Sequence, residues 1–378
     1  MADFNLKNIN IYNTDTKKFT HGELTVSDGV ITNINAGSEE RHGDMYVIPG
    51  MVDIHTHGRA GFDFTHASSA DVERMCQSYA SAGTTTIFAT LATAPLDKYK
   101  EAINNIKSVA SAHDANSAKI YGIHFEGRYL NPLRRGAHNE KMLAPLVAEE
   151  ISELIDMAKP LKTRVTAAPE LDGGEQFVKS AISHGASVSI GHSDSTYDEA
   201  MEILSWGTIS FTHLFNAMKP IHHREPGTVG AALTSDAYVE LICDGFHLHP
   251  AVVKLAYLAK CPERILLITD SMEATGCPDG TYQIGNLPVI VKEGKAINIE
   301  GVIAGSTLNL FDGVKNMAEF CGLSIEEVIP FATLNPAKMV GIDNKVGKLA
   351  EGLNADFLIL DNDKKTIVKT YVDGNSIE

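Results

Sequence analysis

Short β-rich runs alternate with stretches of helical periodicity from residue 47 to residue 271. Such alternation is typical of a parallel sheet wrapped by helices. The candidate strands are VIPGMVDIHTH (47–57), TTTIFAT (84–90), IYGIHFE (120–126), RVTAAPE (164–170), SVSIGHS (187–193), TISFTHLF (208–215), YVELICDG (238–245) and RILLITDS (264–271). Because a closed barrel requires eight strand–helix units, we predict an α/β fold with a (β/α)8 barrel of the TIM type.

The two ends of the chain have a different pattern. Apolar and polar residues alternate over the first 48 residues, and the same alternation returns in VGKLAEGLNADFLILDNDKKTIVKTYVDGN (346–375). This pattern predicts short antiparallel strands separated by turns. We therefore expect residues 1–49 and 345–378 to form a small β-sandwich domain and residues 50–344 to form the catalytic barrel. The stretch from about 273 to 303 is predicted to be a hairpin flap over the site.

Composition and net charge argue against several classes of function. The formal net charge of −16 argues against a nucleic-acid binder or a protein of anionic membranes, since those partners need a positive field. No segment approaches the roughly 18 apolar residues of a membrane span, and the first residues lack the pattern of an export signal. The five cysteines form no CxxC pair, which favours a reducing compartment, so we expect a cytoplasmic protein.

Metal-competent side chains recur at the carboxyl ends of five predicted strands. They are His55 and His57, Glu126, His192, His213 and Asp270. Active sites of barrels lie where the strands end, so residues that are distant in sequence converge there. A lone histidine is more often a hydrogen-bonded core or surface residue, but this joint placement favours a metal site. Imidazoles with carboxylates suit Zn²⁺ or Fe²⁺, and the sequence does not choose between them.

A metal held in this way lowers the pKa of bound water toward about 7 and polarises a carbonyl group. The set therefore predicts hydrolysis by a metal-activated water. Asp270 would be free to move protons.

The motifs PGMVDIHTHG, GIHFEG, GHSDST, THLFNAM, REPG, CDGFHLHP, ITDSMEATG and AGSTLNL resemble those of the amidohydrolase superfamily. Within it the chain is similar to the family of N-acetylglucosamine-6-phosphate deacetylases, over nearly its whole length. This resemblance implies hydrolysis of N-acetylglucosamine 6-phosphate to glucosamine 6-phosphate and acetate in amino-sugar metabolism. Many relatives carry a modified lysine at the end of the fourth strand. Here that strand ends in Ala168, Pro169 and Glu170, and Glu126 looks like the substitute.

The resemblance also implies the roles of the ligands. Glu126, His192 and His213 would hold one metal ion. His55 and His57 are retained, so a second ion that is bridged by Glu126 and approached by Asp270 is an alternative, and one or two ions per subunit remains open. Asp270 would accept the proton of water and then deliver it to the departing amine. His247 would polarise the carbonyl group and stabilise the oxyanion.

Substrate-binding positions carry over from the same family. They are Ala137, His138, Asn216, Ala217, Arg224, His247, Ile303, Ala304 and Gly305. Arg224 is the expected phosphate partner, because a guanidinium group can bond two oxygens at once. In this family the neighbouring subunit can help to build the phosphate site, so we expect a homodimer.

One residue departs from the family pattern and leaves alternatives open. The chain has Arg128 where the family usually has proline after Glu-Gly, and this side chain would either point to solvent or reach the substrate. The second possibility leaves the sugar epimer open, so N-acetylgalactosamine 6-phosphate is an alternative substrate. Another amidohydrolase activity and a non-catalytic barrel are the remaining hypotheses. The intact Asp270 and ligand set count against the latter.

Overall fold

The computed structural model describes residues 3–37, 39–41 and 45–377. In chain order its strands are β1 (Phe4–Asn13), β2 (Lys18–Ser27), β3 (Val30–Ala36), β4 (Tyr46–Pro49), β5 (Met51–Thr56), β6 (Gly58–Arg59), β7 (Phe62–Asp63), β8 (Thr84–Leu91), β9 (Lys119–Glu126), β10 (Lys162–Ala167), β11 (Ser187–Ile190), β12 (Ser210–Phe211), β13 (Tyr238–Leu241), β14 (Ile265–Leu267), β15 (Gly280–Ile284), β16 (Leu287–Lys292), β17 (Lys295–Asn298), β18 (Phe357–Leu360), β19 (Ile367–Val372) and β20 (Asn375–Ser376).

The α-helices are α1 (Ser69–Ser81), α2 (Leu96–Ala112), α3 (Ala148–Ala158), α4 (Gly174–Ser183), α5 (Tyr197–Ser205), α6 (Gly227–Thr234), α7 (Pro250–Ala259), α8 (Leu310–Cys321), α9 (Ile325–Val328) and α10 (Leu334–Met339). Local sequence explains where they begin. Helix α1, for example, starts after Ser68, which forms a capping box with Asp71. The chain turns away after it at Gly83, whose φ of 88° is a conformation that glycine adopts at little cost.

Eight parallel strands form the barrel predicted from the sequence. Their order is β5, β8, β9, β10, β11, β12, β13 and β14, so strands that are adjacent in the barrel follow one another along the chain. Backbone hydrogen bonds join the two ends of this order. The amide of Asp270 donates to the carbonyl of His55 at 2.9 Å, and the amide of His57 donates to the carbonyl of Ser271 at 2.8 Å. The α/β barrel fold is therefore confirmed.

Strands from both ends of the chain share one sheet of seven strands, in the order β20, β19, β18, β4, β1, β2 and β3. Its side chains alternate between two cores, as a period of two requires. Tyr12 and Leu358 pack into the core of the barrel helices, whereas Ile11 and Phe357 pack into a core of the terminal strands alone. We propose the domain boundary at Gly50, since β4 belongs to this sheet and β5 begins the barrel.

A buried ion pair joins the barrel to the terminal sheet. Lys119, at the start of β9, donates from Nζ to Oδ1 of Asp356 at 2.9 Å and to Oδ1 of Asp373 at 2.5 Å. Both carboxylates flank strands of the terminal sheet. This contact lies at the amino ends of the barrel strands, opposite the predicted site, so it contributes to stability rather than to chemistry.

The segment after the last barrel strand forms the predicted flap. It contains three antiparallel strands, β15 to β17, rather than a single hairpin. The tight turn between β15 and β16 contains Gly285 and Asn286, and both residues line the cavity described below.

No helix among the described residues has the length and apolar character needed to cross a membrane. All five cysteines are free thiols.

Candidate metal centre and active site

The predicted ligands converge at the carboxyl ends of the barrel strands. Each lies at the end of a strand or within three residues after it, and each is buried. They are His55 and His57 of the first barrel strand, Glu126 of the third, His192 of the fifth, His213 of the sixth and Asp270 of the eighth. The alternation of a strand explains why the first two act together, since residues two apart face the same side.

Three of these residues lie two or three positions beyond the strands in which the sequence had placed them, and His57 lies one position beyond. The strands end at Ile190, Phe211 and Leu267, and the backbone then turns. His192, His213 and Asp270 have φ angles of 49°, 31° and 50°. A residue with a side chain in this left-handed region costs about 1–2 kcal/mol, so three of them at one site indicate that packing enforces the turns.

Glu126 joins two histidines into the first group of candidate ligands. Its Oε1 lies 3.0 Å from Nε2 of His192 and 3.2 Å from Nε2 of His213. The two Nε2 atoms are 3.0 Å apart. Nδ1 of His192 donates to the carbonyl of Arg134 at 2.8 Å, which leaves the lone pair of Nε2 directed at the site.

His55, His57 and Asp270 form the second group. Oδ1 of Asp270 is 3.2 Å from Nε2 of His57 and 3.4 Å from Nε2 of His55. Glu126 faces this group as well, because its Oε2 lies 3.3 Å from Nε2 of His57. One carboxylate therefore stands between the two groups.

The residues of both groups fit a divalent cation. Within each group the ligand atoms all lie within 4.8 Å of one another. Nε2 of His55 and Oε2 of Glu126 are buried and have no hydrogen-bond partner among the described residues. Buried polar atoms are seldom left without partners, and nitrogen with carboxylate oxygen is a donor set that zinc and iron accept.

The charge states of His192, Glu126 and Asp270 agree with this fit, whereas His57 would have to lose a proton to a cation. Burial lowers the pKa of His57, but hydrogen bonds to Asp270 and Glu126 outweigh it and raise that pKa to about 10. Burial lowers the pKa of His192 to about 4, which keeps its ring neutral. Burial opposes ionisation of Glu126, but the nearby histidines, His138 first among them, outweigh it and hold its pKa well below its ordinary value. For Asp270, His55 and His57 likewise outweigh burial and lower the pKa. Two ionised carboxylates thus face each other where a cation would neutralise them.

A cavity of about 240 Å³ opens onto both groups. Seven of the predicted substrate-binding residues line it, namely Ala137, His138, Asn216, Ala217, His247, Ile303 and Gly305. The other two do not. Ala304 is fully buried in the small core beneath the flap, next to Met272 and Val289. Arg224 is exposed, and its NH1 contacts Nε2 of His223 at 2.7 Å.

Neighbouring side chains fix two histidines of the cavity. Oδ2 of Asp244 accepts from Nδ1 of His247 at 2.7 Å, so Asp244 orients that ring. Oγ1 of Thr93 lies 2.6 Å from Nδ1 of His138 and donates to the carbonyl of Gly127 at 2.8 Å. Thr93 had no signal in the sequence beyond its place after the second barrel strand.

Sequence reasoning missed a charged pair in the middle of the barrel. Oε2 of Glu240 lies 3.1 Å from Nδ1 of His55, and Oε1 contacts NH2 of Arg164. Burial opposes ionisation of Glu240, but Arg164 and the histidines outweigh it and lower its pKa. The sequence did contain a signal for this pair. Glu240 and Arg164 are charged residues within predicted barrel strands, and charged residues are seldom buried unless they are paired.

Both alternatives for Arg128 are wrong. Its side chain reaches neither solvent nor the cavity, because the residue is only 8% exposed and does not line the site. NH2 donates to Oε1 of Glu150 at 3.0 Å, and NH1 donates to the carbonyl of Ala94 at 2.9 Å. The guanidinium group also lies over the ring of Tyr99. The guanidinium group therefore points inward, towards an acidic partner on α3. The pattern of strands in the sequence could not reveal this contact.

The chain is similar to proteins of known activity. The model of the amidohydrolase family matches residues 46–377. An N-acetylglucosamine-6-phosphate deacetylase of Vibrio furnissii is 35% identical over 94% of this chain and 90% of its own length. An N-acetylgalactosamine-6-phosphate deacetylase of Escherichia coli O157:H7 is 34% identical over 90% of each chain. A structure of the Mycobacterium smegmatis N-acetyl-D-glucosamine-6-phosphate deacetylase with N-acetyl-D-glucosamine 6-phosphate superposes with a TM-score of 0.92, at 30% identity over 100% of both chains.

Replacement of the buried cation tests the role of Arg128. We expect Arg128→Met to lower the free energy of unfolding by about 2 kcal/mol, because Glu150 is partly buried and loses its cationic partner, keeping only the hydrogen bond from the hydroxyl group of Tyr129. Urea denaturation measures this loss, and elemental analysis should show an unchanged metal content. Arg74→Met is the matched control, since the ion pair of Arg74 with Asp71 is largely exposed. Equal stability of the two variants would contradict the role of Arg128 as a buried cation that pairs with Glu150.

Proposed function

This chain belongs to the amidohydrolase family and, within it, to the N-acetylglucosamine-6-phosphate deacetylases, and from that premise we propose how its site works. The protein hydrolyses N-acetylglucosamine 6-phosphate to glucosamine 6-phosphate and acetate in amino-sugar catabolism. The observation that carries this function is the approach of Asp270 and Glu126 to the same buried nitrogen of His57, beside a cavity. A metal-dependent hydrolase needs a proton carrier close to its cation, and the residues that we propose for these two roles lie together here.

We propose zinc or iron as the cation, with one or two ions per subunit. Glu126, His192 and His213 would hold the first ion, and His55, His57 and Asp270 face a second that Glu126 would share. When bound, such an ion polarises the carbonyl group and lowers the pKa of water. Support for the second ion comes from the buried, unpartnered Nε2 of His55.

Asp270 moves the proton. Its pKa is lowered, so it is ionised and can accept a proton from the attacking water. The oxygen of that water forms a bond to the acetyl carbon, and the amide C–N bond then breaks. Asp270 returns the proton to the departing amine nitrogen, which leaves as the amino group of glucosamine 6-phosphate. One carboxylate therefore serves as base and then as acid.

His247 stabilises the negative oxygen. Asp244 accepts from its Nδ1 and so fixes the direction in which Nε2 points. We propose that Nε2 faces the carbonyl oxygen as it gains charge, an interaction of about 3 kcal/mol in comparable sites.

The described residues that line the cavity include no lysine or arginine that could pair with the phosphate group. We propose that Arg224 binds it, although the side chain lies outside the cavity here. A homodimer is part of this proposal, with the neighbouring subunit next to the phosphate. A cytoplasmic location is proposed as well, and the free thiols support a reducing compartment.

Hydrolysis of the galacto epimer is the second candidate. The Escherichia coli relative named for N-acetylgalactosamine 6-phosphate is almost as similar to this chain as the relative named for the gluco epimer. The two sugars differ only at one hydroxyl group, so small differences in the cavity decide between them.

An assay on the purified protein tests the function. Acetate release is measured with both epimers, each with and without phosphate, and the metal content of the same sample is determined. We expect the highest kcat/KM for N-acetylglucosamine 6-phosphate, loss of activity after chelation and recovery with zinc or iron. A higher kcat/KM for the galacto epimer would select the alternative. Full activity in a metal-free sample would overturn the mechanism.

Asp270→Asn tests the proton carrier. The amide cannot accept a proton at neutral pH, so kcat should fall by at least 10²-fold. Metal bound to Glu126, His192 and His213 should remain, as elemental analysis would show. A kcat close to that of the wild type would remove Asp270 from its role.

Arg224→Ala tests the phosphate site. Loss of the guanidinium group should raise KM for N-acetylglucosamine 6-phosphate by at least tenfold and leave KM for N-acetylglucosamine almost unchanged. Lys219→Ala, a neighbouring cation outside the assigned site, serves as the control. Equal losses on the phosphorylated and unphosphorylated sugars would show that Arg224 does not bind phosphate.

A further inference from the structure

A carboxylate deep inside the barrel contacts residues of both ligand groups. Glu240 lies on β13 and is fully buried. It is not part of either candidate ligand group. Its Oε2 nevertheless lies within 3.1 Å of Nδ1 of His55 and accepts a hydrogen bond from the backbone amide of His213 at 3.1 Å.

The first contact fixes the direction of the His55 ring. Because Nδ1 is held 3.1 Å from Oε2 of Glu240, the other ring nitrogen, Nε2, points into the site. Nε2 faces Asp270 at 3.4 Å and Glu126 at 3.9 Å, where a cation would be held. A carboxylate next to the other ring nitrogen of a histidine ligand orients the ring in many metal sites.

The second contact holds the backbone of the other group. His213 follows β12 in a left-handed turn with a φ of 31°, a conformation that a residue with a side chain rarely adopts. Its amide hydrogen bond to Glu240 anchors the chain at this turn. Glu240 therefore acts on the ring of one candidate ligand and on the main chain of another.

Arg164 keeps Glu240 in place. It lies on β10, it is fully buried, and its NH2 contacts the other carboxylate oxygen. Nε and NH1 of Arg164 have no hydrogen-bond partner among the described residues. Its buried charge therefore depends on Glu240, and a buried ion pair is poor evidence of stabilisation by itself. A role in positioning the candidate ligands explains the presence of this ion pair better than a role in stability.

We propose that Glu240, held by Arg164, is a positioning residue that aligns His55 and His213 for metal binding. This inference rests on the proposed function, since it assumes that the two groups bind cations. Arg164 and Glu240 form one unit with the ligands they align. Loss of such a supporting partner typically lowers metal affinity by 10- to 100-fold.

Zinc titration of chelator-treated protein tests the proposal. Glu240→Gln retains the shape of the side chain but not its charge, and we expect it to raise the zinc Kd by 10- to 100-fold. Because this variant leaves Arg164 without its partner, the pair Arg164→Met with Glu240→Gln is measured as well and should show the same loss. The visible spectrum of the cobalt-loaded protein provides a second readout, and altered bands are expected when the ligands are misaligned.

Lys119→Met is the matched control. It also removes a buried ion pair, but at the other end of the barrel, so it should lower stability while the zinc Kd stays within twofold of the wild type. A folded double variant with wild-type zinc Kd and cobalt spectrum would overturn the proposal.

One measurement needs no variant at Glu240. In zinc-loaded wild-type protein, nitrogen NMR of labelled histidines should show His55 bound to zinc through Nε2, with His55→Ala used to assign the signals. Zinc on Nδ1, or a His55 signal that zinc does not change, would overturn the proposal even if the variants did not fold. A wild-type protein that binds no zinc, iron or cobalt would instead overturn the proposed function. Normal metal binding in the wild type together with unchanged binding in the variants would overturn only the role of Glu240.

Discussion

The site depends on the burial of two carboxylates among imidazoles. Glu126 lies within 3.3 Å of His57, His192 and His213, and Asp270 approaches the same Nε2 atom of His57. Removal of charged groups from water is costly unless partners compensate. Neutral rings such as that of His192 offer lone pairs rather than charge. A bound cation would satisfy both the carboxylates and the rings, and this requirement explains why these side chains converge at one end of the barrel.

The barrel makes this convergence possible. Parallel strands present their carboxyl ends on one face, and the chain leaves three of them through left-handed turns at His192, His213 and Asp270. Such turns are unfavourable in isolation and are kept by the contacts around them. The backbone amide of His213, for example, donates to Glu240 from the next strand. The barrel strands therefore both hold the left-handed turns in place and provide partners for the buried charges.

Loops and the flap line the cavity that leads to the candidate ligands. Thr93 and Asp244 orient His138 and His247 from two different loops. The tight turn of the flap, with Gly285 and Asn286, lines the same cavity. We therefore propose that residues at and just after the strand ends carry out the reaction, and that recognition of the sugar depends on the loops and the flap, which have more freedom to vary.

Much of the fold and of the candidate site could be predicted from the sequence. The alternation of strand and helix patterns predicted the barrel, because the periods of secondary structure are local properties. The recurrence of histidine and carboxylate at predicted strand ends predicted the candidate ligands that the structure brings together. Contacts between distant segments are not local. Only the tertiary structure showed that Arg128 turns inward to Glu150, that Arg224 lies outside the cavity and that Glu240 contacts His55. Such contacts depend on which side chains meet after folding, and no spacing along the chain encodes them.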